Sequence, residues 1–525
     1  MKMRLKLWIL LAFFAVSSTL FSADTPASLK LHPLFTNNMI LQRDIPVPVC
    51  GTADAGDKVA VAFAGQQKEA VVGNDGKWSV KLDALKASAD PQIMEISSSN
   101  GNQKLKIENV LIGDVWICSG QSNMQWTVDK SMDAQKEIAE ANYPNIRLFT
   151  VPRKTSTEPS LELKGNWETC SPKSVPGFSA AGYFFGRELH KKLNVPMGLI
   201  NSSWGGTVAE AWTTWGTLES TPELAPLIQK FNDQIKSLPE NKEKYDKVRA
   251  EWEKTYAGKK EGDDLGNGKK VPKKPQPPMG PDNQNAPARL YNGMINPLLP
   301  FAIKGAIWYQ GESNAGRAPQ YRTLLPAMIK DWRTVWGQGD FPFLIVQLAN
   351  YQDASPAPSE SGWAELREAQ YLTAKNVPNT GLAVIIDIGE AKNIHPKNKQ
   401  DVGARLALAA RKVAYGEKDF VSSGPVYDSM KVEGGKVRIK FSSVGGGLEA
   451  KGGELKTFAI AGEDKKFVWA KAQIEGDFVI VWNDDVKKPV SVRYAWATNP
   501  EGCNLYNKEG LPAVPFRTDM PAEKK

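Results

Sequence analysis

Residues that move protons or hold metals are scarce in this chain. It has three histidines, His32, His190 and His395, among 525 residues. It has four cysteines, Cys50, Cys118, Cys170 and Cys503, and no two are spaced Cys-x-x-Cys, which excludes zinc ribbons and thioredoxin-like chemistry. There is no His-Glu-x-x-His, no P-loop and no Gly-x-Gly-x-x-Gly after a strand, so zinc proteases, P-loop nucleotide enzymes and dinucleotide binders are excluded. Beyond the first residues no apolar run is long enough to span a bilayer. The formal charge of +8 falls to +5 once Lys2, Arg4 and Lys6 are set aside, and six lysines crowd the Gly/Pro-rich stretch 259–274, which reads as a solvated loop. Nothing resembles a nucleic-acid footprint. Neither a metal nor an organic cofactor is expected.

What is present divides by pattern. Residues 1–23, "MKMRLKLWILLAFFAVSSTLFSA", have the charged start, apolar centre and small-residue end of a signal peptide. The mature protein is expected to be exported, periplasmic or secreted, with no membrane anchor. Residues 24–108 alternate with period two ("KVAVAF", "KWSVKL") around the turn "GNDGK" and predict a β-sandwich. In 109–416 short apolar runs ("VLIGDVWIC", "PMGLINSS", "KGAIWYQ", "FPFLIVQL", "GLAVIIDI") alternate with amphipathic stretches, the pattern of an α/β fold with a parallel sheet covered on both faces. Within it, 217–288 reads as an insertion, a lid or a disordered loop. Residues 417–525 return to strands, either as a second β-region or completing one sandwich with the N-terminal strands.

In an open parallel sheet, ligands bind beyond the carboxyl ends of the strands. Those ends carry Ser119-Gly120-Gln121-Ser122-Asn123, Asn201 to Thr207, Tyr309-Gln310-Gly311-Glu312-Ser313-Asn314, Ala349-Asn350-Tyr351, and Gly389-Glu390 followed by His395-Pro396. Serines, amides and glycines suit the binding of an anion. A serine hydroxyl becomes a nucleophile when a neighbouring base takes its proton, and histidine does this best near neutral pH. His32 precedes the sandwich strands and His190 sits in the cationic end of a helix, "RELHKK", which leaves His395. "GQSNM" lacks the second glycine of the α/β-hydrolase elbow.

The blocks "GDVWICSGQSNMQW", "GLINSSWGGTVAEAW", "LYNGMINPLLPFAIKGAIWYQGESN" and "IHPKNKQDVGARLALAARKVAYG", in this order, resemble the sialate O-acetylesterases of the SGNH/GDSL hydrolase superfamily, exported bacterial members included. The resemblance implies an SGNH-like sheet flanked by helices, Ser122 as nucleophile and His395 as base. It implies an oxyanion hole from the backbone of Gly205 or Gly206 with that of Ser122, and Gln310, with Asn314, as the side-chain donor. One position departs: many superfamily members have Asp three residues before the histidine, where this chain has Lys392. Asp387 and Glu390 are then the candidate orienting acids, against a dyad in which the Asn393 carbonyl holds the imidazole. Glu312 is read as orienting its loop.

The implied reaction removes acetyl groups from O-acetylated sialic acids through an acetyl-serine. Acetylated xylan or another acetylated glycan is the alternative substrate, and a non-catalytic glycan-binding protein is the alternative of a different class. Of the sixteen tryptophans, Trp126, Trp204, Trp212 and Trp308 flank the site blocks as candidate sugar platforms, with Trp308 on its strand read as core. Arg289 is a candidate partner for a sugar carboxylate.

Overall fold

A computed structural model describes residues 29–99 and 103–519. The segment read as a signal peptide lies outside the described residues. The framework is a mixed sheet of eleven strands. Its centre is formed by β1 (Lys104–Gly120), β2 (Tyr143–Thr150), β3 (Glu168–Cys170), β4 (Met197–Ser203), β5 (Gly305–Tyr309), β6 (Phe343–Val346) and β7 (Thr380–Ala383). They lie in the order β3-β2-β4-β1-β5-β6-β7. All neighbours are parallel except the β3 edge. From β1 the chain builds β2 and β4 to one side and β5 to β7 to the other. The carboxyl end of β1 is therefore a point where the winding reverses, the place where such sheets open a crevice.

The apolar runs are continuous because the sheet is covered on both faces. Successive side chains of a strand point to opposite faces. On β1, Val115 and Ile117 enter one core while Trp116 and Cys118 enter the other. On β5, Ala306 and Trp308 divide from Ile307 and Tyr309 in the same way. Helices α1 (Ser122–Gln125), α2 (Ala180–Leu193), α3 (Ala225–Lys236), α4 (Leu238–Thr255), α5 (Ala318–Trp336), α6 (Gly362–Asn376) and α7 (Lys399–Val413) complete the α/β part. Buried residues of α2 and α7 fill the core that takes Trp116, and those of α5 and α6 fill the core that takes Trp308. Gly403 lets α7 approach α2, since a Cβ there would stand 2.5 Å from that of Phe184.

β1 crosses residues 108–109, where the sequence pattern changes. Its first half pairs antiparallel with Ser88–Ser98, which pairs with Lys58–Phe63, and Ile40–Gln42 runs parallel to residues 111–113. A second small sheet, of Lys30–Leu31, Val47–Thr52 and Lys77–Leu82, packs over these strands through Val49, Val80 and Leu82. The C-terminal strands form two four-stranded antiparallel sheets around a separate core that includes Phe441, Phe458 and Tyr494. That core receives Val384 and Ile386 from the chain leaving β7, so these strands do not complete the N-terminal sandwich.

The 217–288 stretch holds two longer helices and a short hairpin. α3 buries Ile228 and Phe231, whereas α4 buries none of its residues and carries four i,i+4 ion pairs along its length. Such exposed pairs add little, because water screens them. A short hairpin, Asp264–Gly266 with Lys269–Lys270, follows. All four cysteines are free, and Cys118 is buried. Among the described residues no helix is long and apolar enough to cross a membrane.

Candidate functional site

The end of β1 turns sharply because only glycine fits there. Gly120 has φ +139°, and a Cβ on it would stand 2.1 Å from the Tyr309 carbonyl oxygen of β5. The Gln121 amide then donates to that same carbonyl at 3.0 Å, and Ser122 opens the single turn of α1, half-buried. Gly205, just beyond β4, lies against Ser122, since a Cβ on it would be 3.2 Å from that of Ser122. The Gly205 amide donates to Gln125 Oε1 at 2.7 Å, and Gly206 is exposed with φ +73°.

His395 reaches the same place from the loop between β7 and α7. Its ring stacks on Trp126 with centroids 4.9 Å apart and planes 16° from parallel, and the Trp126 amide donates to the Ser122 carbonyl at 2.8 Å. Asn123 Nδ2 donates to the Ile394 carbonyl at 3.0 Å. Thus Asn123 and Trp126, which follow Ser122 in the same turn, hold the His395 segment. Asn393 clips the His395 backbone: its Oδ1 accepts from the His395 amide at 3.0 Å and its Nδ2 donates to the His395 carbonyl at 2.8 Å. Burial, then the nearby Lys399 ammonium, hold the imidazole below its ordinary value of 6.5. The other two histidines are elsewhere: His32 is half-buried beside the N-terminal sandwich, and His190 Nδ1 lies 2.8 Å from the Val195 carbonyl.

The candidate orienting acids have other partners. Both oxygens of Asp387 are taken by Arg405, at 2.5 and 2.8 Å, and Oδ2 also accepts from the Tyr506 hydroxyl at 3.0 Å. Glu390 accepts from the Lys397 amide at 2.7 Å and from Asn393 Nδ2 at 3.2 Å. Lys392 pairs with Asp353 at the surface. Among the described residues no carboxylate hydrogen-bonds the His395 ring, which corrects the expectation for Asp387.

Gln310 and Asn314 also differ from expectation. Gln310 is fully buried; its Nε2 donates to the Thr207 carbonyl at 3.1 Å and to Asn314 Oδ1 at 2.6 Å, and its Oε1 accepts from the Tyr321 hydroxyl at 2.8 Å. Asn314 Oδ1 accepts from the Ala209 amide at 3.0 Å, and its Nδ2 donates to Glu210, which pairs with Arg317. Both amides help to fix the segment that follows Gly205, and both N–H bonds of Gln310 Nε2 are engaged there. Glu312 Oε1 accepts from Asn123 Nδ2 at 2.6 Å, while Oε2 is buried without a partner among the described residues.

Trp212 and Trp308 are core residues with T-shaped packing, centroids 6.0 Å apart, and Trp126 serves as the platform for His395. Trp204 remains half-buried beside Gly205, with the exposed Arg153 guanidinium 5.7 Å from its ring centroid. Arg289 is buried and donates to the Pro281 and Pro287 carbonyls, at 2.6 and 3.2 Å, so it is not free to meet a sugar. Sequence reading passed over Gln125, Arg153 and Lys399. The signal for Lys399 was its place at the first position of a helix, where the macrodipole disfavours a cation. Among the described residues no cluster of three His, Cys, Asp or Glu side chains stands ready to hold a metal.

A half-buried serine on a strand-to-helix turn, a glycine backbone beside it and a histidine segment held by the same turn are equipment suited to acyl transfer. The model of a family described as carbohydrate esterase, sialic acid-specific acetylesterase, matches residues 112–250 and 282–412. The mouse sialate O-acetylesterase is 31% identical over 84% of this chain and 83% of its own length, and the human one is 29% identical over 94% of each. The crystal structure of a carbohydrate acetylesterase from Xanthomonas citri superposes with a TM-score of 0.78 at 38% identity, covering 94% of this chain and all of that one. With matches of this extent in both sequence and fold, the chain belongs to the carbohydrate esterase family of sialic acid-specific acetylesterases.

Proposed function

We propose that the protein removes O-acetyl groups from sialic acids by a Ser122–His395 dyad. The observation that carries this is the clamp made by two residues that follow Ser122: Trp126 stacked on the imidazole and Asn123 bonded to Ile394. His395 takes the proton of Ser122 Oγ as that oxygen attacks the acetyl carbonyl. The oxyanion is held by the Gly205 amide, which exchanges Gln125 Oε1 for it, together with the Ser122 amide. One such donor is commonly worth about 2.7–4 kcal/mol in the transition state. His395 then protonates the departing sugar oxygen, leaving acetyl-Ser122. Water gives a proton to the same imidazole, attacks the ester, and acetate leaves as Ser122 recovers its proton.

No acid is needed to keep the imidazole in place, because Trp126 and Asn393 already fix the ring plane and its backbone. Arg153, exposed beside Trp204, is the cation we assign to the sialate carboxylate. The apolar N-terminal segment supports export, which would place the enzyme where host or plant glycans are met.

The test is acetate release by the mature protein from 9-O-acetylated sialic acid and, in parallel, from acetylated xylan, each with a Ser122→Ala control. Release from the sialate, abolished in the variant, is the expected result. Release mainly from xylan would keep the chemistry and move the substrate to plant glycans. Equal rates for parent and variant would remove Ser122 from the mechanism, and glycan binding without release would favour a non-catalytic receptor.

A further inference from the structure

Behind the Ser122 turn lies a buried run of charge that the reaction above does not use. Asn123 is 2% exposed and stands at its middle. Its Oδ1 accepts from Lys399 Nζ at 2.6 Å, and its Nδ2 donates to Glu312 Oε1 at 2.6 Å as well as to the Ile394 carbonyl. Lys399 is wholly buried at the start of α7, its ammonium 5.0 Å from the Tyr309 ring centroid. Burying a cation at a helix N-terminus and a carboxylate with an unpaired oxygen is costly twice over. An apolar pair would fill the same space at less expense.

The arrangement has a geometric effect that an apolar pair lacks. A carboxamide can face either way, with donor and acceptor ends of nearly equal shape. An ammonium only donates and a carboxylate only accepts. Lys399 on one side and Glu312 on the other therefore fix the direction of the Asn123 amide, with its NH2 toward the Ile394 carbonyl. We propose that Lys399 and Glu312 are positioning residues: through Asn123 they clamp the backbone at Ile394, and with it the His395 ring, against the turn that begins at Ser122.

The same cation acts on the imidazole at a distance. Burial brings Lys399 down to about 7, opposed by Glu312 and Glu390, so below that pH it carries its charge. That charge disfavours a second one on His395 and keeps the ring in the basic, neutral form. The other charged groups around the ring are engaged. Glu390 binds the Lys397 amide and Asn393, Lys392 pairs with Asp353, and Lys130 lies 5.8 Å from the Trp126 ring centroid.

The consequence for catalysis rests on the Ser122–His395 reading, but the test has a readout that does not. With three histidines in the chain, the His395 Cε1–H resonance is assignable by NMR from a His395→Gln variant and titrates without substrate. In Lys399→Met the midpoint of His395 should rise by roughly half to one pH unit. The kcat for acetyl ester hydrolysis should fall about 10–100-fold, with KM changed less than about threefold, as for an interaction realised in the transition state. Lys399→Arg should restore part of the midpoint and of kcat. Glu312→Gln, which frees the Asn123 amide to turn, should lower kcat in the same way without raising the His395 midpoint, and serves if Lys399→Met does not fold. An unmoved His395 midpoint in folded Lys399→Met, or an unchanged kcat in folded Glu312→Gln, overturns the proposal. A raised midpoint in a protein that hydrolyses no acetyl ester would leave the clamp standing and remove the esterase reading instead.

Discussion

Asparagine in place of Asp387 separates two ways of orienting His395. In a serine triad, exchanging the orienting carboxylate for its amide leaves the shape intact and costs about 10⁴ in kcat, because the imidazole is held in the wrong tautomer. Here the Asp387 carboxylate holds the two arms of Arg405 and the Tyr506 hydroxyl, with Asp387 and Arg405 side chains each 12% exposed. Removing one partner of a buried ion pair costs about 3–5 kcal/mol. An asparagine oxygen keeps one acceptor and Arg405 keeps the Val384 carbonyl at 2.8 Å, so a loss of about 2–3 kcal/mol is expected. The unfolding temperature should fall by several degrees. The folded fraction should keep kcat within about tenfold of the parent, since the variant changes the start of the loop leading to His395 and not a partner of its ring. Thermal unfolding and steady-state hydrolysis of 4-nitrophenyl acetate, measured on the same preparation, decide the matter. A fall of about 10³ or more in kcat with an unchanged unfolding temperature would refute the dyad and return Asp387 to the proton relay.

The acid limb of kcat/KM should lie below pH 6.5, because burial and the Lys399 charge hold His395 under its ordinary value and activity is lost only as pH falls through that lowered midpoint; a limb at or above that value would contradict it. Gly120→Ala should destabilise the protein by about 2–5 kcal/mol, combining a positive-φ penalty with a Cβ 2.1 Å from the Tyr309 carbonyl, and a melting temperature equal to the parent's would show that the turn relaxes. Arg153→Ala should raise KM for an acetylated sialate about tenfold and that for a neutral acetylated sugar by less; equal increases in the two would rule out recognition of the carboxylate.

The parts of the molecule legible in the chain are those whose cause is local. Apolar strands such as "VLIGDVWIC" and "KGAIWYQ" read as buried on both faces because apolar side chains fall on both pleats, and they form the centre of the sheet. Ser122 and His395 were legible as strand-end residues, and the fold brings their segments together. What escaped reading depends on partners far along the chain. Asp387 meets Tyr506 from the last β-region, 119 residues on. Gln310 turns inward because Thr207 and Tyr321 surround its amide, which nothing in "YQGESN" announces. Lys399 looks like a solvated lysine at a helix start, and only the distant Glu312 and Asn123 make its burial tolerable.

β1 is 17 residues long and belongs to two structures at once: it pairs with Ser88–Ser98 near its start and delivers Ser122 at its end. No cut in the chain detaches the N-terminal strands as a cassette while leaving the nucleophile supported. Deleting them would strip the partners from residues 104–112 and open the middle of the sheet from below. The sandwich is in this sense the foundation of the reactive serine, and a truncation designed to isolate a minimal esterase would have to retain its strands from Lys30 onward.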